Sequence, residues 1–184
     1  MSLVESKYFE TGKKAPDFSL LDVASNQKKT LNNLKGEHGT VIMFICNHCP
    51  FVVHVNNELV KLANDYLIKG INFIAISSND VNYYPQDGPV YMKQVATKLN
   101  YPFPYLFDES QEVAKAYDAS CTPDFYLFDS DLKSVYHGQL DNSRPGNRIP
   151  VTGFDMRNAM DLLLNKERNT NLQKPSIGCS IKWK

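Results

Sequence analysis

An α/β fold, a central mixed β-sheet flanked by helices on both faces, is predicted by three features. Residues 40–45, TVIMFI, are a continuous apolar run rich in β-branched and aromatic side chains, as expected of a buried parallel strand. Val52, Val55, Leu59, Leu62, Ala63 and Tyr66 then recur at three- and four-residue steps, one face of a helix that ends near Gly70. A second buried strand, INFIAIS, follows at 71–77. Finally, DFYLFD (124–129) reads as a strand, SDLK as a turn and SVYHGQL as its hairpin partner. Strand, helix and strand over 40–77 fit a βαβ crossover, and the hairpin adds antiparallel pairing, so the sheet is mixed.

The remaining elements follow in order. APDFSLLD (15–22) is a short extended entry and a turn, and NDVNYYPQDGP (79–89) is a polar loop with turn residues. Helical patterns cover Val90–Leu99 and Ser110–Tyr117. DNSRPGNRIPVTG (141–153) is a long loop, and Met156, Ala159, Met160, Leu163 and Leu164 mark a last helix. The tail has no clear period. A single domain is expected, with an N-terminal β extension (1–35), a core (36–165) and a tail (166–184).

Composition narrows the function. Twenty basic and twenty acidic side chains cancel, with no Lys/Arg cluster, which argues against a nucleic-acid or anionic-membrane partner. No apolar run approaches the ~20 residues of a membrane span. The polar start, MSLVESKYFETGKK, lacks the apolar core of a secretory signal, so the expected compartment is the cytoplasm. Four cysteines in 184 residues are not a disulfide framework. In a reducing compartment, a close pair is more often catalytic or metal-binding than structural.

That pair is Cys46 and Cys49, in CNHCP, at the end of the first strand and the start of the helix. Unpaired N–H groups in a first helical turn stabilise a thiolate, lowering its pKa below the free value of ~8.5. Pro50 fits a first turn. On the redox reading, Cys46, at the more exposed end, attacks a disulfide. Cys49, one turn in, resolves the mixed disulfide, and His48 tunes the pair. A zinc reading competes: Cys46, Cys49 and His54 have ligand spacing, His48 is a fourth donor, and Cys121 or Cys179 would complete the set. Downstream, Thr122-Pro123 enters a strand. X-Pro is the one bond that is readily cis. A cis bond there would leave the Thr122 backbone as an edge for an extended peptide.

The stretches GKKAPDFSLLD, LNNLKG, CNHCPFV, CTPDFYLFD, GQLDNSRPGN, PVTG and GCSIKW resemble the thioredoxin superfamily. Within it they are similar to a peroxiredoxin-like thioredoxin group of the alkyl hydroperoxide reductase/thiol-specific antioxidant (AhpC/TSA) branch. The resemblance implies a thioredoxin-like fold, a cis Pro123 facing the cysteine pair, and thiol-disulfide exchange with a protein disulfide or small-thiol substrate. A reductase would recycle the pair, and no cofactor is needed because the disulfide itself carries two electrons. Peroxiredoxins place Thr or Ser three residues before their reactive cysteine; here Cys46 holds that place if Cys49 is the match. The upstream Pro is absent, since Met43, Phe44 and Ile45 are apolar, and no Arg precedes Arg144. A thiol peroxidase using Cys49 is therefore the alternative, and a copper or zinc carrier a further one. The active-site strand lacks the buried acid of thioredoxins, so the proton acceptor for Cys49 is open among His48, water, Asp141 and Arg144. Cys121 and Cys179 are additional redox thiols or, in the plainer reading, a small buried residue and part of a docked tail.

Overall fold

The structure, a computed structural model, describes residues 3–184. The first two residues of the N-terminal extension lie outside the described residues. In chain order the elements are β1 (Leu3–Glu5), β2 (Ser19–Asp22), β3 (Gln27–Thr30), α1 (Leu31–Leu34), β4 (Gly39–Phe44) and α2 (Pro50–Leu67). Then come β5 (Ile71–Ser77), a 3-10 turn (Pro85–Asp87), α3 (Pro89–Lys98), β6 (Tyr105–Phe107), α4 (Glu112–Ala116) and β7 (Cys121–Thr122). β8 (Asp124–Asp129), β9 (Ser134–Gly138), α5 (Phe154–Leu164) and β10 (Ile177–Ser180) complete the chain.

The main sheet runs β3-β2-β6-β5-β4-β8-β9. β4 lies inside it, parallel to β5 and antiparallel to β8, so the sheet is mixed as expected. Strand side chains alternate between two faces, and both faces are covered, so every residue of β4 is apolar or buried. Val41, Met43, Phe125 and Leu127 pack into one core with the predicted stripe of α2 and with Met156, Ala159 and Met160 of α5. Ile42, Phe44, Tyr126 and Phe128 point the other way, into a core closed by Phe9, Leu31, Ala114 and Tyr117. No helix among the described residues is long and apolar enough to cross a membrane.

Three parts depart from expectation. β3, α1 and β6 are short, and their partners make them what they are: β6 is held between β2 and β5. The helix expected over Ser110–Tyr117 is trimmed to α4, because Gln111 takes a left-handed φ of 65°. The tail, which shows no periodicity, supplies β10, the middle strand of a second sheet, β1-β10-β7. A four-residue strand paired on both edges needs no amphipathic pattern. Its Gly178 does leave a signature: a Cβ there would sit 2.0 Å from the Thr122 carbonyl oxygen.

Candidate active site

β4 ends at Phe44, and the chain turns through Ile45–His48 into α2. Cys49 is the N-cap residue and Pro50 the first helical residue; the Cys49 carbonyl accepts from the Val52 and Val53 N–H groups, 3.0 Å each. This places both sulfurs against the Thr122-Pro123 peptide, which is cis. Cys46 Sγ lies 3.5 Å from Thr122 Oγ1, and Cys49 Sγ lies 3.1 Å from the Thr122 carbonyl oxygen. The four cysteines form no disulfide among the described residues.

Cys46 was expected at the more exposed end and as the attacking thiolate. Both cysteines are enclosed, Cys46 at 2% exposure and Cys49 at 0%. The charge falls on the other sulfur. Cys49 is drawn down to about 4, first by the hydrogen bond from the Cys46 thiol. Burial opposes this, while the Cys179 thiol, Thr122 and the Val52 N–H at the helix start add to it. Cys46 is pushed up, first because its proton serves Cys49, then by burial and by the negative charge of Asp87. As a thiol Cys49 donates to the Thr122 carbonyl, but as a thiolate it gathers four donors, and we hold that the ionised form prevails. The reduced protein should therefore carry a thiolate absorbance band at neutral pH that disappears as the pH falls through about 4 and is missing from Cys49→Ser. A band that titrates near ~8.5 would refute this assignment.

Asp87 is the residue the sequence reading missed. It lies in the polar 79–89 loop yet is 0% exposed. Its Oδ1 accepts the backbone N–H groups of Asn47 (2.8 Å) and His48 (3.3 Å), and its Oδ2 accepts from Asn79 Nδ2 (2.8 Å). With donors around both oxygens, the 2.5 Å contact to His48 is an Nδ1–H donating to Oδ2. The ring is further held by stacking on Tyr84, 8° from parallel. His48 Nε2 is buried with no hydrogen-bond partner among the described residues. A His48 nitrogen, an Asp87 oxygen and Cys46 Sγ all lie within 4.8 Å of one another. A base backed by a carboxylate thus stands beside the protonated sulfur. The only sequence signal was the turn DGP, which also fits a solvated loop.

The other expected residues separate. His54 Nε2 bonds Ser143 Oγ at 2.6 Å, so the zinc set of Cys46, Cys49 and His54 is not assembled. Cys46, His48 and Asp87 lie close enough to share an ion, but they are not the expected set, and the His48–Asp87 hydrogen bond already engages one ring nitrogen and one carboxylate oxygen. Asp141 is not free to take a proton from Cys49: Oδ1 accepts the Ser143 N–H and Oδ2 those of Thr152 and Gly153, each at 2.7 Å, which fastens the loop to the start of α5. The Arg144 guanidinium bonds the carbonyls of Asp141 and Ser143 and the Gln139 side chain. Cys121 turns its thiol to the Pro123 and Ser176 carbonyls, and burial pushes its pKa up. Cys179, expected either as an additional redox thiol or as part of a docked tail, lies in β10 opposite Thr122 and packs in one buried cluster with Cys46 and Cys49. The Thr122 edge, expected to be open to a peptide, is paired with β10.

Residues 11–137 match the AhpC/TSA family. Among solved structures, an uncharacterized conserved protein from Geobacillus kaustophilus is 62% identical with a TM-score of 0.98, covering 100% of this chain and 97% of that one. A hypothetical protein from Sinorhizobium meliloti 1021 is 43% identical with a TM-score of 0.95, covering 98% of each chain. The thioredoxin domain of a thiol-disulfide oxidoreductase from Bacteroides vulgatus is 19% identical with a TM-score of 0.67, covering 86% of this chain and 100% of that one, a likeness of fold.

Proposed function

The chain belongs to the AhpC/TSA family, and from that premise we propose that it is a thiol-disulfide oxidoreductase cycling Cys46 and Cys49 between dithiol and disulfide. The observation that carries this is the placement of both sulfurs at the start of α2 against Thr122, Cys46 Sγ 3.5 Å from its hydroxyl and Cys49 Sγ 3.1 Å from its carbonyl oxygen, beside the cis Thr122-Pro123 bond. The Cys49 thiolate attacks one sulfur of a substrate disulfide. The other sulfur leaves with the bonding electron pair and takes a proton. Cys46 then gives its proton to His48 and attacks Cys49 Sγ; the second substrate thiolate leaves and takes that proton. The substrate gains two electrons and the pair loses two. A reductase or an abundant small thiol reverses the cycle, and the cytoplasm belongs to the same reading. Because β10 occupies the Thr122 edge, small disulfides fit the site better than extended polypeptides.

The test is a titration of all four cysteines against a dithiol buffer, each thiol read by alkylation and mass spectrometry. One two-electron couple linking Cys46 to Cys49 is expected. It should be more oxidising than the about −270 mV of thioredoxin, because a low-pKa Cys49 favours the reduced form. If Cys46 and Cys49 never pair, the exchange reading falls.

The same lowered Cys49 favours a second reading, a thiol peroxidase forming a sulfenic acid there. It requires hydroperoxide consumption that survives Cys46→Ser but not Cys49→Ser. Against it, Cys46 replaces the hydroxyl residue, and the Arg144 guanidinium is engaged within its own loop.

A further inference from the structure

β10 lies along β7 as a bound peptide would. Cys179 is registered opposite Thr122 and Ser180 opposite Cys121, antiparallel, next to the cis Thr122-Pro123 bond. Gly178 makes the approach possible, since any side chain would strike the Thr122 carbonyl. Beyond the strand, the Ile181 N–H donates to the Ser120 carbonyl and the Lys182 N–H to Asn79 Oδ1. Asn79 in turn donates to Asp87, so the docked tail and the His48 carboxylate share one support. This arrangement sets Cys179, 5% exposed, opposite Thr122, whose carbonyl oxygen lies 3.1 Å from Cys49 Sγ, and packs it in the same buried cluster as Cys46 and Cys49. Two cysteines, Cys46 and Cys179, therefore share this buried cluster with Cys49, and only one of them belongs to the C-x-x-C pair.

We propose that Cys179 is a second resolving thiol, presented by the chain's own tail in the place of a substrate strand, and that Cys49 exchanges between a disulfide to Cys46 and a disulfide to Cys179. The proposal rests on the Cys46–Cys49 reading above. In the step, Cys179 loses its proton and its sulfur attacks Cys49 Sγ of the Cys46–Cys49 disulfide. The Cys49–Cys179 bond forms, the Cys46–Cys49 bond breaks, and Cys46 leaves with the electron pair and takes up a proton. No electrons enter or leave the protein. The exchange returns Cys46 to the thiol state beside His48 while the oxidising equivalent is kept on the tail strand. The same attack on a Cys49 mixed disulfide expels the substrate thiol without Cys46.

The experiment uses the full chain and glutathione disulfide as the probe, with acid quenching, alkylation and mass spectrometry of linked peptides. In Cys46→Ser, the mixed disulfide at Cys49 should give way to a Cys49–Cys179 bond. In Cys46→Ser/Cys179→Ser, it should persist at least about tenfold longer, because an intramolecular thiol held in the same cluster is replaced by one from solution. Equal lifetimes in the two variants, or no Cys49–Cys179 peptide in the first, overturn the proposal. Wild-type protein separates the two readings. A Cys46–Cys49 bond there, with none to Cys179 in Cys46→Ser, defeats the tail thiol alone. A Cys49–Cys179 bond with no Cys46–Cys49 bond defeats the C-x-x-C couple and leaves the tail thiol standing. Should the Cys46 variants fail to fold by circular dichroism, wild-type protein quenched during exchange must contain the Cys49–Cys179 peptide, and its absence overturns the proposal.

Discussion

Cys49→Ser is expected to lower disulfide exchange by at least about a thousandfold, more than any other single substitution in the site. Cys49 bears the thiolate, with Cys46, Cys179, Thr122 and the Val52 N–H gathered on its sulfur. Loss of Cys46 or Cys179 leaves Cys49 the other cysteine of the cluster, whereas loss of Cys49 removes the sulfur with which both would exchange. Cys46→Ser should therefore retain the first attack and fall by about ten- to a hundredfold in turnover. The fold should survive Cys49→Ser, because position 49 is a helix N-cap, where serine is among the preferred residues. Single-turnover kinetics with glutathione disulfide check the ordering, with circular dichroism as the control for folding. If Cys46→Ser proves the more damaging change, Cys46 is the attacking sulfur and the charge assignment between the two is reversed.

The parts legible in the sequence are those whose signal is local. The apolar run of β4, the stripe of α2 and the hairpin of β8 and β9 follow from side-chain period, and each is present. C-x-x-C at a strand–helix junction is likewise local chemistry, and the cis Thr122-Pro123 bond was flagged by residue type and company. What remained hidden depends on long-range pairing. Asp87 reaches His48 across 39 positions, and nothing in YYPQDGP distinguishes a buried carboxylate from a solvated turn. β10 is recognised as a strand only through β1 and β7, so neither the closing of the Thr122 edge nor the reach of Cys179 could be read from GCSIKW. The order of charge proposed between Cys46 and Cys49 reverses the expected one for a related reason. Sequence order along the helix suggested exposure, while the deciding groups were a carboxylate and a thiol from distant segments.

Removing the carboxylate at position 87 should separate its structural effect from its chemical one. Asp87→Ala leaves the N–H groups of Asn47 and His48, the Asn79 amide and His48 Nδ1–H without their acceptor in a buried site. At about 1–3 kcal/mol for each buried unsatisfied group, and with relaxation sharing the loss, the cost is about 3–5 kcal/mol. For a chain of this size that is a fall in Tm of about 10 °C or more. Asp87→Asn keeps the shape and removes the charge, and its readout is the pH profile of reduced protein. The raised Cys46 value comes first from its bond to Cys49, then from burial, then from Asp87. A raised thiol favours the protonated native state, so its contribution to stability is full below the ordinary ~8.5 and is lost as the pH climbs above it. With the carboxylate gone the upward shift is smaller. Cys46 then ionises at lower pH, and reduced Asp87→Asn should lose less stability above that value than wild type does. The Cys49 band near pH 4 should stay, because Asp87 is not among its leading causes. Resolution of the mixed disulfide should slow in the same variant, since His48 loses the carboxylate that holds its Nδ1–H beside Cys46. A merely structural Asp87 would lower Tm and leave the Cys46 limb of the profile in place.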